Sequence, residues 1–154
     1  MGASFTNVPG GTAHWIFTGN GNYNNAEGEV AITINAWTFS GFYQPVDMSG
    51  ATTVYNTVKS GSTVPFKFEV FKGSAESTST TDIKPIVAKS VSCVNTAPID
   101  DIELLATGGT VLRYDNTAGQ FVYNWQTSGK AGTCYSVTIS SNDGSSKTAY
   151  FKLK

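Results

Sequence analysis

VPFKFEVF, residues 64–71, alternates between two sets of side chains. The first set is wholly apolar and comprises Val64, Phe66, Phe68 and Val70; the second is mixed and comprises Pro65, Lys67, Glu69 and Phe71. Successive residues of a β-strand point to opposite faces of the sheet, so the stretch predicts a strand whose first set packs in a core. Lys67 then faces away from that core, and the question is whether it packs or reacts.

The composition predicts an all-β fold. Charged residues make up only 14% of the 154 residues, and Ser, Thr, Asn and Gly are abundant. This balance disfavours long exposed helices and favours strands with polar outer faces joined by tight turns. The chain is long enough to bury a core of its own.

Charge and hydropathy disfavour two classes of partner. The net charge is -1 and the Lys and Arg residues do not cluster, so the attraction on which nonspecific nucleic-acid binding depends is missing. No apolar run approaches the roughly 20 residues that a bilayer-spanning helix needs. We therefore expect neither nucleic-acid binding nor membrane insertion.

Cys93 and Cys134 are the two cysteines of the chain, and their spacing is not that of a zinc site. An even pair in a chain rich in Thr, Ser and Asn predicts one disulfide and an extracellular setting, with two buried free thiols as the alternative. Because Tyr135, Val137 and Ile139 share an apolar face, Cys134 is expected to point to the opposite side of its strand. The bond is therefore predicted near the outer surface or an edge, not between two sheets.

A strand pair is predicted near the amino terminus. Residues 13–19 and 28–35 are strand-length, and the Gly- and Asn-rich segment between them supplies the positive φ that tight turns require. The run GGTAHWIFTGNGNYNNAEGEVAITIN resembles the last third of a bacterial Ig-like repeat, in its aromatic strand, its Asn-Tyr turn and its Val-x-Ile-x-Ile strand. The resemblance implies that residues 1–36 are the closing strand pair of a truncated repeat.

The apolar face of this strand pair needs cover. Its expected members are Trp15, Phe17, Val30, Ile32 and Ile34. We expect the face to dock on the rest of the chain, or the strands to pair with another chain by strand addition or swapping.

Residues 37–154 contain nine strand-length segments bounded by Gly, Pro, Asn, Asp or Ser. The segments are WTFSGFYQPV, TTVYNTVKSG, STVPFKFEVFK, KPIVAKSVSC, DIELLATG, TVLRYD, GQFVYNWQT, GTCYSVTIS and KTAYFKLK. Short strands at this spacing predict a β-sandwich with Ig-like or Greek-key connections, to which the N-terminal hairpin is an addition.

Five ordered blocks of residues 37–154 resemble the bacterial PxKF domain, a family named for its Pro-x-Lys-Phe motif and found near the carboxyl ends of large secreted proteins. The blocks are FSGFYQPVD (39–47), the run from Lys59 to Phe68, RYDNTAGQFVYNWQT (113–127), TCYSVTI (133–139) and DGSSKTAYFKL (143–153). The resemblance implies an extracellular accessory module in which Pro65, Lys67 and Phe68 are structural. It implies no reaction, because the family has no assigned catalytic function to carry over.

Lys67 allows two interpretations. Its methylene stem can cover the sheet while the ammonium reaches water or Glu69. Alternatively, a desolvated lysine loses its proton and becomes a nucleophile, which allows an intramolecular isopeptide bond to an Asn or Asp, as in some Gram-positive surface adhesins. Such a bond also needs a neighbouring acid, and it lowers the intact mass by one ammonia or one water.

The ionisable residues form no recognisable catalytic or metal site in the sequence, and no cofactor is expected. His14 is the single histidine, and we expect it to lie on a strand surface. Asp100, Asp101 and Glu103 are interpreted as a solvated turn; a calcium loop is the alternative, although the ligand spacing departs from that of known loops. The predicted turn-capping acids are Asp47, Asp115 and Asp143.

Aromatic residues are the best binding candidates, because sugar rings stack on exposed aromatic faces. Two alternating apolar sets are instead expected in the core: Phe121, Tyr123 and Trp125 of one strand, and Ala149, Phe151 and Leu153 of the last strand. The remaining candidates for a ligand platform are Tyr43, Tyr55 and Tyr150.

These patterns predict a non-catalytic extracellular or cell-surface module that spaces, displays or anchors other domains of a larger secreted or surface protein, or serves in adhesion. The alternative is a carbohydrate-binding module attached to a secreted hydrolase. Expected partners are neighbouring domains of the same polypeptide, with glycan, cell-surface protein and self-association through the N-terminal strands as further candidates. An enzyme is not expected, because no nucleophile, base and orienting group can be nominated together.

Overall fold

Strands joined by turns make up most of the protein. The computed structural model describes residues 4–48, 53–94, 99–101 and 109–154. Within these ranges the strands are β1 (Gly10–Phe17), β2 (Ala26–Thr33), β3 (Thr38–Gly41), β4 (Tyr55–Val58), β5 (Thr63–Lys72), β6 (Ala75–Glu76), β7 (Val87–Val91), β8 (Ile99–Asp101), β9 (Arg113–Asp115), β10 (Gln120–Gln126), β11 (Cys134–Ser140) and β12 (Ser146–Leu153). The described residues also contain one 3-10 turn, Thr80–Asp82, and no helix of theirs is long and apolar enough to cross a bilayer.

Two five-stranded sheets pack face to face as an all-β sandwich, which confirms the predicted fold class. Sheet 1 has the order β3-β5-β10-β9, and β6 also pairs with β5. Sheet 2 has the order β7-β11-β12-β4-β8. Most neighbours are antiparallel, but β4 runs parallel to both β12 and β8, so sheet 2 is mixed.

The core lies between the sheets and uses the residues that strand alternation predicts. The inner residues of β5 are all fully buried: Val64, Phe66, Phe68 and Val70. Those of β12 are Ala149, Phe151 and Leu153, and those of β10 are Phe121 and Trp125, with Tyr123 half-buried against them. The Phe66 ring joins the two sheets, since its centroid lies 5.5 Å from that of Phe151 and 6.5 Å from that of Trp125.

Pro65 is tolerated inside β5 because of where its nitrogen points. Residues two apart in a strand direct their backbone groups to the same side, and the Lys67 carbonyl accepts a hydrogen bond from Tyr43 N at 2.9 Å on the β3 side. The pairing of β3 with β5 stops at Phe68. The proline nitrogen therefore faces the side on which β5 has no neighbouring strand at that position.

A buried asparagine holds β4 in its parallel position. Asn56 Oδ1 accepts a hydrogen bond from Asp47 N at 2.7 Å, and Asn56 Nδ2 donates to Asp47 O at 3.1 Å and to Tyr150 O at 3.2 Å. Asp47, predicted as a turn cap, is thus held through its backbone. The amide ties β4 both to β12 and to the segment that precedes β4.

The predicted solvated turn at Asp100 and Asp101 is wrong. Both residues belong to β8, in register with Asn56 and Thr57 of β4. The parallel edge of β4 offers unpaired backbone groups, and a short strand satisfies them whatever its side chains are. Glu103 and most of the predicted strand DIELLATG lie outside the described residues.

The predicted N-terminal strand pair is present as a separate two-stranded antiparallel sheet. Strand β1 pairs with β2 in a register that sets Gly10 opposite Thr33 and Phe17 opposite Ala26. The turn is closed by paired backbone hydrogen bonds between Asn20 and Tyr23. We refer to β1, β2 and this turn, residues 10–33, as the hairpin.

Candidate functional site

The apolar face of the hairpin is the most exposed apolar surface that the described strands present. Trp15 is 48% exposed, Phe17 47%, Val30 51% and Ile32 37%. The register places all four on one face, together with Ala13, Gly11, Ala26 and Gly28. The expected docking of this face on the sandwich is therefore not seen among the described residues, because its side chains are about half exposed.

Two aromatic rings lie across glycines on this face. A Cβ at position 28 would lie 2.8 Å from Trp15 Cζ2, and a Cβ at position 11 would overlap the Phe5 ring. Glycine at these two positions lets each ring lie close against the backbone of the strand. The two rings widen the apolar surface beyond the strands themselves.

Charged and polar side chains gather on the opposite face of the hairpin. The register places His14 opposite Glu29 and Ile16 opposite Glu27. His14 Nε2 lies 3.8 Å from Glu27 Oε2, and both side chains are exposed. His14 thus occupies the strand surface, as predicted, and the hairpin has one uncharged face and one charged face.

The three tyrosines proposed as a ligand platform do not come together. Tyr43 is exposed beside sheet 1, whereas Tyr55 and Tyr150 lie side by side in sheet 2 with ring centroids 5.8 Å apart. Tyr55 is only 3% exposed. Its interpretation as an open binding residue is wrong, because the side chain is buried and its hydroxyl lies 3.4 Å from Ser92 O and from Val94 N.

Two tyrosines of the sheet 1 region are instead bonded to glutamates. Tyr43 donates to Glu69 Oε2 at 2.7 Å, and Tyr114 donates to Glu76 Oε1 at 2.7 Å. A carboxylate that accepts the phenolic hydrogen disfavours the phenolate. The hydrogen bond to Glu69 and, to a smaller extent, burial raise the pKa of Tyr43. The hydrogen bond to Glu76 is the largest contribution to the pKa of Tyr114, which is raised to about 12.

We expect the Tyr114 phenolate to form only near pH 12, and Glu76→Gln to move this transition back toward the ordinary tyrosine value of about 10. The stabilisation from this pair is complete below the ordinary tyrosine pKa and is lost as the pH rises through the folded-state pKa. Ultraviolet absorbance is measured against pH for the wild type and for Tyr114→Phe, and the difference between the two curves gives the ionisation of Tyr114. Glu69→Gln is the control, because it removes the partner of Tyr43 and only the smallest of the contributions that raise the pKa of Tyr114. An unshifted Tyr114 transition in Glu76→Gln would contradict the assignment.

The disulfide fastens the residues that follow β7 to the outer face of sheet 2. Cys93 and Cys134 are bonded, with Cα atoms 5.4 Å apart. Cys134 lies on the side of β11 opposite to the core residue Val137, as the alternation predicts. It is nevertheless only 1% exposed, because β11 lies inside the sheet between β7 and β12 and Cys134 is bonded to Cys93, which follows β7.

Lys67 lies on the outer face of β5, opposite Val122 of β10, and its side chain is half-buried. Glu69, the carboxylate proposed as its neighbour, accepts the hydrogen bond from Tyr43. The isopeptide hypothesis stays a prediction that intact mass decides.

Two of the predicted turn-capping aspartates accept backbone hydrogen bonds in their own turns. Asp115 Oδ1 accepts from Thr117 N at 3.0 Å and from Ala118 N at 3.1 Å. Asp143 Oδ1 accepts from Ser145 N at 3.1 Å. The two acids close equivalent turns, that of Asp115 between β9 and β10 and that of Asp143 between β11 and β12.

No group of three or more His, Cys, Asp or Glu side chains among the described residues is placed to hold a metal ion. The sandwich also has an open groove of about 340 Å³ at one side, between residues 80–86 and 111–112. Its lining includes Ile83, Ile86, Leu112 and Tyr123, and three of these four side chains are partly buried against the core. The groove is therefore an apolar opening between the sheet edges.

The sequence did not identify two residues that contact the hairpin or its attachment to the sandwich, Phe5 and Trp37. The signal for Phe5 is the glycine at position 11, since glycine inside a strand marks a close approach of other atoms. Trp37 was included in a predicted strand, but that strand begins at Thr38. Its backbone instead contacts the β11–β12 turn, a long-range contact that has no local signal.

Comparisons with known proteins find no match. No protein-family model matches the chain, and searches of curated proteins and of solved structures return no match. The resemblances to the PxKF domain and to an Ig-like repeat therefore depend on the sequence motifs alone and stay predictions.

Proposed function

We propose that the chain is a non-catalytic extracellular module that spaces, displays or attaches neighbouring domains of a larger secreted or cell-surface protein. The observation that carries the proposal is the apolar face of the hairpin, which the described residues leave exposed to solvent. The hairpin serves as the contact surface toward a neighbouring domain or a second copy of the chain, and the sandwich supplies the stable body.

The size of the apolar face supports a contact role. From their exposed fractions, Trp15, Phe17, Val30 and Ile32 together leave roughly 350 Å² accessible, within the roughly 300–600 Å² of the largest patch on a typical monomer. Such patches are often interaction sites. An isolated hairpin is also marginally stable in water, so cover on this face stabilises the strands themselves.

The disulfide supports an extracellular setting. Cys93–Cys134 is a structural bond that holds a surface segment, and such bonds persist in oxidising compartments.

Five acidic side chains have structural partners, which supports a non-catalytic role. Asp115 and Asp143 accept hydrogen bonds from turns, Glu69 and Glu76 accept from tyrosines, and Asp82 pairs with Lys72 at 2.7 Å. Each of these groups already has a partner within the fold, and none of them needs a substrate to satisfy it.

We expect the chain to associate with itself in a concentration-dependent way, because two apolar hairpin faces cover each other. Trp15→Ala and Phe17→Ala should each weaken this association at least about tenfold, since aromatic anchors dominate interface energies. The matched control is Ile16→Ala, which removes a 69% exposed side chain from the opposite face of the same strand. Sedimentation velocity over a concentration series measures the effect.

The carbohydrate-binding alternative is tested with the same variants. A wild-type chain that is retained on insoluble cellulose or chitin, but not after Trp15→Ala or Tyr43→Ala, would replace the spacer proposal. If the wild-type chain neither associates with itself nor is retained on either polysaccharide, the hairpin face is not a contact surface for a second copy or for glycan.

A further inference from the structure

One residue of the β11–β12 turn holds both ends of the hairpin segment. Asp143 O accepts a hydrogen bond from Val8 N at 3.0 Å, where the chain enters the hairpin. Asp143 Oδ2 accepts one from Trp37 N at 2.8 Å, where the chain leaves it. The two strands are also tied together at their base, since Ile34 N donates to Pro9 O at 3.2 Å.

The Asp143 carboxylate is almost completely enclosed and fully bonded. Asp143 is 5% exposed. Its Oδ2 accepts from Trp37 N and from Ser145 Oγ at 2.8 Å, and its Oδ1 accepts from Ser141 Oγ and Ser145 N. Hydrogen bonds to an ionised acceptor are shorter and stronger than neutral ones, so this group resists displacement by water.

A second set of contacts fixes the Trp37 ring against the sandwich. Lys72 Nζ lies 4.4 Å from the ring centroid and pairs with Asp82 Oδ2 at 2.7 Å. Asn142, beside Asp143, donates through its backbone N to Asp82 O at 3.0 Å and through Nδ2 to Thr81 O at 2.8 Å. The β11–β12 turn, the 3-10 turn and the end of β5 thus meet at the base of the hairpin.

We propose that Asp143 is an anchor that makes the hairpin and the sandwich move as one rigid body. A segment held at one point rotates about it, whereas two attachment points and a packed ring leave no free axis. This claim goes beyond the proposed function and does not depend on which partner the hairpin face meets. Its role for the molecule is to set the direction in which the apolar face projects.

The test is ¹⁵N relaxation of the full chain, which compares the motion of the hairpin amides with that of the β5 and β12 amides. In the wild type we expect order parameters of about 0.85 in both parts. Asp143→Ala keeps the carbonyl that holds Val8 N but removes the acceptor of Trp37 N, so the hairpin stays attached at one point. This should lower the order parameters of the hairpin to below about 0.6, while the sandwich stays rigid. Asp115→Ala is the matched control, because Asp115 caps the β9–β10 turn in the other sheet and should leave the hairpin unchanged.

Asp143→Asn provides the second variant, because it keeps the volume and removes the charge and one acceptor. If Asp143→Ala unfolds the sandwich, as shown by loss of dispersed signals from β5 and β12, Asp143→Asn decides the outcome by the same comparison. A wild-type hairpin that already tumbles independently overturns the proposal. So does a folded Asp143 variant in which the hairpin order parameters stay at the wild-type level.

Lowering the pH tests the same attachment independently, with the same comparison of hairpin and sandwich amides. Burial opposes ionisation of Asp143, but the hydrogen bonds from Ser141, Trp37 N and Ser145 outweigh it and hold its pKa below the ordinary value. The ionised groups on the packed elements are Asp82 of the 3-10 turn and Lys72 of β5. The attachment should therefore be complete above the ordinary aspartate pKa and be lost only as the pH falls through the lower folded-state pKa. Release of the hairpin at or above the ordinary aspartate pKa would contradict the anchor.

Discussion

Removing the Cys93–Cys134 bond is expected to lower the free energy of unfolding by roughly 4 kcal/mol, because the bond joins residues 41 apart and restricts the unfolded chain. The loss should be local in its structural effect. Cys134 points away from the core, so the contacts between the sheets stay intact. The residues that lose their attachment are 92–94, which contact Tyr55, and beyond them β8 at the edge of sheet 2.

Urea unfolding of the oxidised chain, the reduced chain and the double variant Cys93→Ala/Cys134→Ala measures the loss. Hydrogen exchange should show β4 and β8 opening before the rest of the sandwich, whereas the amides of β5 and β10 should exchange only through global unfolding. Tyr55→Phe is the control, since it removes the hydroxyl contact with residues 92–94 and leaves the bond. Equal stability of the oxidised and reduced chains, or uniform loosening of both sheets, would contradict this assignment.

Phe66→Ala is expected to lower the free energy of unfolding by about 3–5 kcal/mol. Phe66 is fully buried, and its ring centroid lies 4.9 Å from that of Phe42 and 5.5 Å from that of Phe151. The substitution removes apolar contacts to both sheets and leaves a cavity that their close packing cannot fill. A single domain is stable by only about 5–15 kcal/mol, so the variant should unfold at much lower denaturant concentration.

The matched control is Phe71→Ala, which removes the same side chain from the same strand. Phe71 is half-buried on the outer face of β5, and its loss should cost about 1 kcal/mol. Denaturant unfolding with an unchanged m-value makes the two free energies comparable. Equal costs for the two substitutions would show that the inner and outer faces of β5 have been assigned incorrectly.

Much of the core was predictable from alternation within single strands. VPFKFEVF and the last strand place their apolar residues at every second position, and these residues are buried in the sandwich. Strand partners were not predictable in the same way, because pairing joins segments far apart in the chain. The parallel neighbours of β4, and the strand at Asp100 and Asp101, depend on such long-range pairing.

The candidate site was predictable only in part. The hairpin and its apolar residues follow from local pattern, as does the outward direction of Cys134. The burial of Tyr55 does not, because its hydroxyl contacts Ser92 and Val94, which lie 37 and 39 residues away along the chain. The contact of Trp37 with Asp143 joins residues 106 apart, and strand periodicity carries no information about such a contact.

The place of β12 in sheet 2 has a consequence for how the sandwich forms. It lies between β11 and β4, and all the other strands of the sandwich precede it along the chain. Until β12 has been synthesised, β4 and β11 have no neighbour on their inner edges, and the core lacks Phe151 and Leu153. Folding of the sandwich is therefore coupled to completion of its last strand. A chain that lacks β12 exposes the unpaired edges of β4 and β11, which makes it prone to aggregation and proteolysis.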